Sequence, residues 1–305
     1  MPSIDPPSLA LLLPMKPVHA AVALLLALWA ACAPAAERGL YTLVDGDVRV
    51  LRKTTWYRLE AGARIESGDV VDVSEHAQVQ LEPATDTVIG IIGPAQGYVE
   101  ATRSDAKAPP VQQFTLVRGW LKAANGAKAP PVRVNLPSSA LQIEKGIVVV
   151  HCDAMHTEFF VESGRATLLT AAGRGKEQAH EAGESEFWHK AGDRAFATDE
   201  RLSQAFVAAM PRTLRDALPT LAGRFEGAPP TLAAGRDVTY AEAEPLLAGA
   251  SRRAFARRFA PRLSDPAFRT AAAAARPGVP EWDRTLHPER YRPREADAKA
   301  APVQP

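Results

Sequence analysis

The chain has 305 residues, enough for two domains of ordinary size that each bury a core without a disulfide or a metal. Hydrophobic residues make up 46% of it and charged residues 23%, which excludes a fibrous or intrinsically disordered protein. The 36 lysines and arginines nearly balance the 35 aspartates and glutamates. The formal charge of +1 therefore gives no overall electrostatic reason to expect binding to nucleic acid or to a membrane surface.

The N-terminus has the pattern of a secretory signal peptide. Lys16 precedes an apolar run over 20–29, and small residues follow over 33–36, as at a signal peptidase site. We therefore expect residues 1–36 to be a signal peptide that is cleaved near Ala36, leaving a periplasmic protein. No stretch approaches the roughly 20 apolar residues that a transmembrane helix needs, so none is expected.

Two alternatives concern the same region. The sequence Trp-Ala-Ala-Cys at 29–32 partly resembles a lipobox, with Trp29 in the place of the usual leucine. Acylation of Cys32 would hold the protein at a membrane leaflet instead of releasing it. Separately, Met15 is followed at once by Lys16 and makes a more usual start than Met1, so the true start codon stays open.

Short alternating runs dominate residues 40 to about 197. Runs rich in valine, isoleucine and phenylalanine, bounded by turn-forming residues, predict many short β-strands. The dipeptides Asp45-Gly46 and Asn125-Gly126 predict tight hairpin turns. The predicted strands cover 43–51, 69–73, 77–81, 88–92, 114–117, 132–136, 147–150, 159–161 and 166–169.

A series of motifs in this region resembles the FecR family. The stretch over 56–71 contains a tryptophan, then leucine, glycine and Gly-Asp-x-Val, which is similar to the signature of that family. Stretches at 117–121, 136–137, 145–149 and 159–166 then resemble further family elements in the family's order. The residues that carry the resemblance and that we interpret as structural are Trp56, Leu59, Gly62, Gly68, Asp69, Gly146 and Gly164.

The resemblance implies an all-β periplasmic domain, and we expect a stack of short strands that forms a roll or a solenoid-like sandwich over 38–198. The chain departs from the family at Ile147, where threonine is usual. It also has neither the cytoplasmic anti-sigma helices nor the transmembrane helix of the family's regulators, so their regulatory function does not carry over. The glycines are interpreted as positions where strands turn or pack closely, and Trp56 as a packing residue.

After residue 198 the pattern becomes helical. Asp199 is predicted to cap a helix that ends at Met210, and leucines at helical spacing predict a further helix, so 199–226 is a helical extension. The glycines and prolines of 227–237 predict a linker. A small helical module over 238–293 follows, with helices at about 240–248, 251–259 and 266–275, a capping box at Thr239 and an N-cap at Asp265. Residues 294–305 are predicted to be disordered.

One cluster raises the question of catalysis. His151, Cys152 and Asp153 are consecutive, with His156 close by, and Cys152 is the only cysteine left after signal cleavage, so no intramolecular disulfide can form. In a strand Cys152 points away from its two neighbours, so the three residues cannot form a relay. A thiol-dependent hydrolase and a metal site are the alternatives to a core cysteine. We predict no enzymatic activity, no cofactor and no metal.

A run of arginines marks the predicted helix over 251–259. Phe255 and Phe259 are four residues apart and predict one apolar contact stripe, from which the arginines should project. Either these arginines form a solvated face or they bind an anionic partner, such as a phospholipid head group, a cell-wall polymer or an acidic protein surface. Nucleic acid is not expected for an exported chain. The candidate partner-binding residues are Arg252, Arg253, Arg257 and Arg258.

The sequence thus predicts a periplasmic, FecR-like, non-enzymatic protein that serves as a binding, sensory or scaffold module of the cell envelope. A structural lipoprotein anchored through Cys32 and a thiol enzyme centred on Cys152 are the alternatives. The sequence identifies neither the ligand nor the partner, and it does not show whether iron signalling is involved.

Overall fold

A computed structural model describes residues 39–100, 112–172, 176–199, 201–225 and 227–291. The fold is mainly β, with a large sheet followed by a few helices, which confirms the predicted fold class. The predicted signal peptide, Cys32 and the C-terminal tail from residue 292 lie outside the described residues. Among the helices that are described, none is both long and apolar enough to cross a membrane.

Within the described residues, fourteen strands form the sheet. Most pair with antiparallel neighbours, and β7 and β8 are a parallel pair. The strands are β1 (Leu40–Asp45), β2 (Val48–Arg52), β3 (Thr55–Arg58), β4 (Val70–Val73), β5 (Gln78–Ala84), β6 (Thr87–Val99), β7 (Gln112–Asn125), β8 (Val132–Leu136), β9 (Ser139–Cys152), β10 (His156–Ala171), β11 (Glu177–Gly183), β12 (Phe187–Ala191), β13 (Ala197–Asp199) and β14 (Ala234–Asp237).

The long strands change partners along their length. The first half of β6 pairs with β5 and its second half with β4, while β9 pairs first with β8 and then with β7. The sheet therefore branches. Because Val50 of β2 and Val79 of β5, from different branches, belong to one buried cluster, the branches face each other across a common core. Alternating valine, leucine and isoleucine side chains supply that core, as period-2 patterns require.

Gly146 and Gly164 show why two of the motif glycines are needed. They lie opposite each other on the paired strands β9 and β10, both with positive φ, at 144° and 75°. A Cβ on Gly146 would lie 2.3 Å from the carbonyl oxygen of Ser163, and one on Gly164 would lie 2.4 Å from that of Lys145. At both glycines the two strands therefore lie too close together for a Cβ atom.

Both predicted hairpin turns are wrong. Asp45-Gly46 does join two strands, but β1 pairs with β5 and β2 pairs with β3 and β4, so the bend moves the chain between branches. The loop at Asn125-Gly126 precedes β8, which pairs with β7 in parallel. The predicted runs over 159–161 and 166–169 also belong to one strand, β10, which continues through Gly164.

The C-terminal helices agree with the prediction. Helices α2 (Tyr240–Ala248), α3 (Arg252–Phe259) and α4 (Pro266–Ala274) follow α1 (Gln204–Ala209) and precede α5 (Asp283–Leu286). Thr239 and Glu242 form the predicted capping box at α2. Asp265 accepts hydrogen bonds from two backbone N–H groups at the start of α4, as predicted for an N-cap.

The extension over 199–226 is less helical than predicted. Helix α1 is capped by Ser203 instead of Asp199, and only short 3₁₀ turns follow Met210. The reason is tertiary, because the sheet binds this segment through its backbone. The buried Lys122 ammonium donates hydrogen bonds to the carbonyls of Leu214 and Asp216, at 3.0 and 2.9 Å. These contacts hold residues 211–225, called the strap below, against the sheet.

The predicted linker over 227–237 also differs. Its last residues, Ala234–Asp237, form β14, which pairs with β3. Beyond it, helices α2 to α4 share a second buried cluster with residues of the sheet, so the helical module packs on the β domain. The sheet contributes to this cluster the side chains of Leu51, Trp56, Val70 and Tyr98.

Arg258 of α3 anchors the helices to the sheet. Its guanidinium donates to three backbone carbonyls, those of Lys53, Gly68 and Leu51, at 2.6, 2.5 and 2.7 Å. Burial lowers the pKa of Arg258 from its usual value. The expectation that this arginine projects from the helix as part of a free face is therefore wrong, because the three carbonyls lie where the helix meets the sheet.

We predict that Arg258→Gln lowers the free energy of unfolding by about 2 to 3 kcal/mol, since a charged donor to several carbonyls is lost at a partly buried site. Arg257 lies on the same helix but is exposed. Arg257→Gln, the matched control, should change stability by less than about 0.5 kcal/mol. Urea unfolding of both variants measures the difference, and equal midpoints would show that Arg258 is not an anchor.

A second prediction concerns separability. A fragment that ends at residue 237 should expose the sheet side of the second cluster, Trp56 and Tyr98 included. It should therefore bind a hydrophobic dye and unfold at a lower temperature than the full chain. A fragment with the full chain's melting temperature and no dye binding would show instead that the helices are a separable unit.

Candidate binding cleft

A buried carboxylate, Asp69, organises the loop that precedes β4. It accepts hydrogen bonds from the Tyr41 hydroxyl at 2.8 Å, from the Arg52 guanidinium at 2.9 and 3.1 Å, and from the Glu66 backbone N–H at 3.0 Å. Its side chain is only 1% exposed, so it relies on these donors in place of water. Burial, and next the Asp69 charge, raise the pKa of Tyr41 well above its usual value.

The same loop fixes the end of β6. The backbone N–H of Gly68 donates to the carbonyl of Val99, and the N–H of Val99 donates to the carbonyl of Asp69, both at 2.9 Å. The Gly-Asp pair of the FecR-like motif therefore holds the last residues of β6 and, through the Gly68 carbonyl, also accepts a hydrogen bond from Arg258. The Gly68-Asp69 loop therefore contacts both the sheet and the helices and fixes their relative position.

Tyr98, near the end of β6, contacts the C-terminal helices and so joins them to the sheet. Its hydroxyl donates a 2.9 Å hydrogen bond to Ser251, which precedes α3, and its ring packs edge-on against Phe255 with centroids 5.1 Å apart. Because Ser251 lies three residues after the end of α2, Tyr98 also holds the C-terminal end of α2 near the sheet.

A cleft of about 940 Å³ opens at this junction. One side is the C-terminal end of α2 with the residues up to Ala250, and the other comes from β7, the β8–β9 turn and the end of β10. Most of the lining is apolar, as in sites that hold a ligand chiefly by excluding water. The apolar aliphatic residues are Leu116, Val117, Leu136, Pro137, Ala140, Ala154, Leu169, Ala171, Pro245, Leu246, Ala248 and Ala250.

A chain of hydrogen-bonded polar groups runs along one wall. Glu100 accepts from Thr115 at 2.6 Å and from Asn135 at 3.1 Å. Arg133 donates to Asn135 at 2.9 Å, and its guanidinium forms an ion pair with Glu177 at 2.5 Å. These groups satisfy one another, so the wall is formed before any ligand binds.

The charges around the cleft are mixed. Arg118, Arg133 and Lys176 stand against Glu100, Asp153 and Glu177 among the lining residues. Glu100 is partly buried, and no lysine or arginine of the described part of the chain forms an ion pair with it. The cleft thus suits a largely apolar ligand with few charges, and Glu100 is a place where a cation would be favoured.

The predicted arginine face does not line the cleft. Arg252 and Arg253 lie near the carboxylate of Glu281, at 3.4 and 3.8 Å, and Arg257 is exposed. With Arg258 bound to the sheet, the four arginines do not form one continuous basic surface. Phe255 and Phe259 are buried, as the predicted apolar stripe requires.

Cys152 lies in the main core. Its side chain is 0% exposed, and burial raises the pKa of its thiol from 9.0 to about 12, so the thiol is protonated at neutral pH. A thiolate nucleophile needs the opposite environment. Asp153 accepts hydrogen bonds from the backbone of Met155 and His156 and serves the turn between β9 and β10. Nowhere in the described ranges do three or more histidine, cysteine or acidic side chains form a metal-binding group.

We predict that the Cys152 thiol of the native protein resists alkylation at pH 8, and that Cys152→Ala costs about 1 to 2 kcal/mol of stability. Because the folded-state pKa is raised, this thiol's contribution is complete below about pH 9 and is lost as the pH rises towards 12. Cys152→Ala should therefore show a shallower loss of stability over that pH window. Rapid alkylation of the folded wild type would contradict a core position.

Sequence reasoning missed the cleft and several buried polar groups. Lys122 is 1% exposed and pairs with Glu162 at 2.7 Å, and Glu82, 4% exposed, accepts from the backbone of Leu221 and Ala222 in the strap. A charged residue at an inward-facing position of an otherwise apolar strand is the sequence signal for a buried group of this kind, which binds a counter-charge or backbone groups. The family-like residues Trp56 and Leu59 are buried packing residues.

Comparison with known proteins gives limited similarity. No protein-family model matches the sequence, and no curated protein matches it. Among the solved structures that are similar in part are two crystal structures of "a putative anti-sigma factor" from Parabacteroides distasonis. Each is 10% identical over 46% of this chain, with TM-scores of 0.37 and 0.36. The chain matches 63% and 62% of those structures, less than two thirds of their length.

Proposed function

We propose that this protein is an exported, non-enzymatic binding module of the cell envelope, with a FecR-like β domain that holds a protein partner in the cleft beside α2. The observation that carries the proposal is the cleft itself, which combines an apolar lining with a polar wall whose groups already satisfy one another. Such a surface binds by burying apolar area and offers no activated nucleophile.

The export part of the proposal rests on the N-terminal sequence. A charged residue, an apolar run over 20–29 and small residues over 33–36 are what signal peptidase recognises. A mature chain that begins near Ala36 supports release into the periplasm, and an acylated Cys32 supports the anchored alternative. Mass spectrometry of the purified mature protein separates the two.

The motif residues support a binding role indirectly. The Gly68-Asp69 loop positions β6, and the Arg258 anchor positions the helices, so both sides of the cleft are rigidly held. Preorganised walls reduce the entropy that is lost when a partner binds. The motif residues Gly68 and Asp69 thus help to shape the walls of the cleft. This role agrees with their interpretation as structural residues.

The test is cross-linking in cells that produce the protein. A photo-reactive amino acid at Ser138, an exposed residue of the cleft, should capture a partner, and the same amino acid at Glu75, exposed on the β4–β5 turn, should not. Filling the cleft with Ala250→Trp should remove the cross-linked species, while Ala274→Trp on α4 should leave it. The same species at Ser138 and Glu75, or one that survives Ala250→Trp, would contradict the proposal.

A further inference from the structure

A polar row crosses the face of the sheet that lies beneath the strap. Gln80, Gly90 and Lys122 lie directly opposite one another on the neighbouring strands β5, β6 and β7. The residues next to them in sequence, such as Val79 and Leu121, belong to the main core, so the row faces away from that core. Because Gly90 has no side chain, the row contains a notch with a buried polar side chain on each side.

The strap fills this notch with a leucine. Leu218 lies over Gly90, where a Cβ atom would come within 3.0 Å of the leucine side chain. The Gln80 amide donates a 2.8 Å hydrogen bond to the carbonyl of Pro219, the next residue of the strap. The notch therefore fits one leucine and holds the backbone beside it.

The other polar contacts of the strap also recognise its backbone. Lys122 donates to two strap carbonyls, and Glu82 accepts from two strap N–H groups. Because residues 217–221 form no regular secondary structure, their backbone groups are available to the sheet. The fully buried side chains of the strap are both leucines, Leu214 and Leu221. The sheet thus recognises leucines and backbone groups, which are features that another polypeptide segment can supply.

The polar row stays hydrogen-bonded without the strap. Lys122 also pairs with Glu162 at 2.7 Å, and Gln80 also donates to Thr42 at 3.0 Å. The sheet face beneath the C-terminal helices is different, because it contributes apolar side chains to the second cluster. Exposing polar groups to water costs less free energy than exposing apolar side chains. The strap can therefore open locally, at a free energy below that of global unfolding, while the helices stay in place.

We propose that the notch and its polar row are a second binding site, which takes a leucine-bearing segment of another protein. The strap is the resident occupant, and the external segment displaces it. The strap itself shows the ligand chemistry: a leucine over Gly90, carbonyls for Lys122 and two N–H groups for Glu82. The site is independent of the cleft, whose lining includes neither Gly90 nor any strap residue.

The consequence is competition between the strap and the external segment. A strap tethered at both ends acts at an effective concentration on the order of millimolar. The apparent affinity of the external segment is therefore reduced by the fraction of molecules whose strap is open. A change that weakens the strap without altering the sheet should tighten the binding of the external segment.

The test uses the full mature chain and a fluorescent synthetic peptide with the sequence of residues 211–225. Leu218→Ser in the protein weakens the resident strap and leaves the sheet unchanged, so it should raise the affinity for the peptide at least about tenfold over the wild type. Ala217→Ser, at an exposed position of the same strap, is the matched control and should change the affinity by less than about twofold. Fluorescence anisotropy measures both.

Variants of the peptide test recognition without any change to the protein. In the Leu218→Ser protein, a peptide with serine in place of Leu218 should bind at least about tenfold more weakly. A peptide with glutamine in place of Arg212, which is exposed in the strap, should bind within about twofold of the original. A photo-reactive leucine at position 218 of the peptide should cross-link to residues 78–84 or 87–92, which are outside the cleft lining.

Each outcome decides the proposal. Equal affinity of the wild type and the Leu218→Ser protein, no binding to either, or binding that ignores the leucine of the peptide would overturn it. Cross-links to the cleft lining would place the peptide there and rule out a second site. Wild-type dimers that disappear in Leu218→Ser would assign the notch to the strap of a second copy and overturn the external partner. Because none of these changes alters the cleft, the Ser138 cross-link tests the proposed function separately.

Discussion

The structure depends on one buried carboxylate and the loop that surrounds it. Asp69 is removed from water, so its charge requires the donors that Tyr41, Arg52 and the Glu66 backbone provide. Those donors come from β1, β2 and the loop itself, and their convergence fixes the loop in one conformation. Gly68, next to it, then presents its N–H to β6 and its carbonyl to Arg258.

This loop also determines how the helices pack on the sheet. Arg258 lies across carbonyls of the loop and of the β2–β3 region, and Trp56 and Tyr98 of the sheet belong to the same buried cluster as Phe255. The helices do not form a separate core. A boundary inferred from glycine and proline content therefore marks a change of secondary structure, and one buried cluster continues across it.

The cleft is a product of that docking. Its floor comes from β7 to β10 and its opposite side from the end of α2, and Tyr98 and Ser251 join the two sides. The chemistry of its surface favours binding over catalysis. The polar side chains of Arg133 and Asn135 are already hydrogen-bonded to each other. Cys152, which precedes the lining residue Asp153, is buried, and the pKa of its thiol is raised to about 12.

The sequence by itself determined the β-rich class, the strand at 132–136, the limits of α2 and the caps at Thr239 and Asp265, since alternation and capping act over a few residues. It also indicated the core position of Cys152. Only the tertiary structure decided which strands pair, including the parallel β7–β8 pair. The same holds for the burial of Arg258 and for the cleft, because these depend on contacts between residues that are distant in sequence, and no local pattern encodes them.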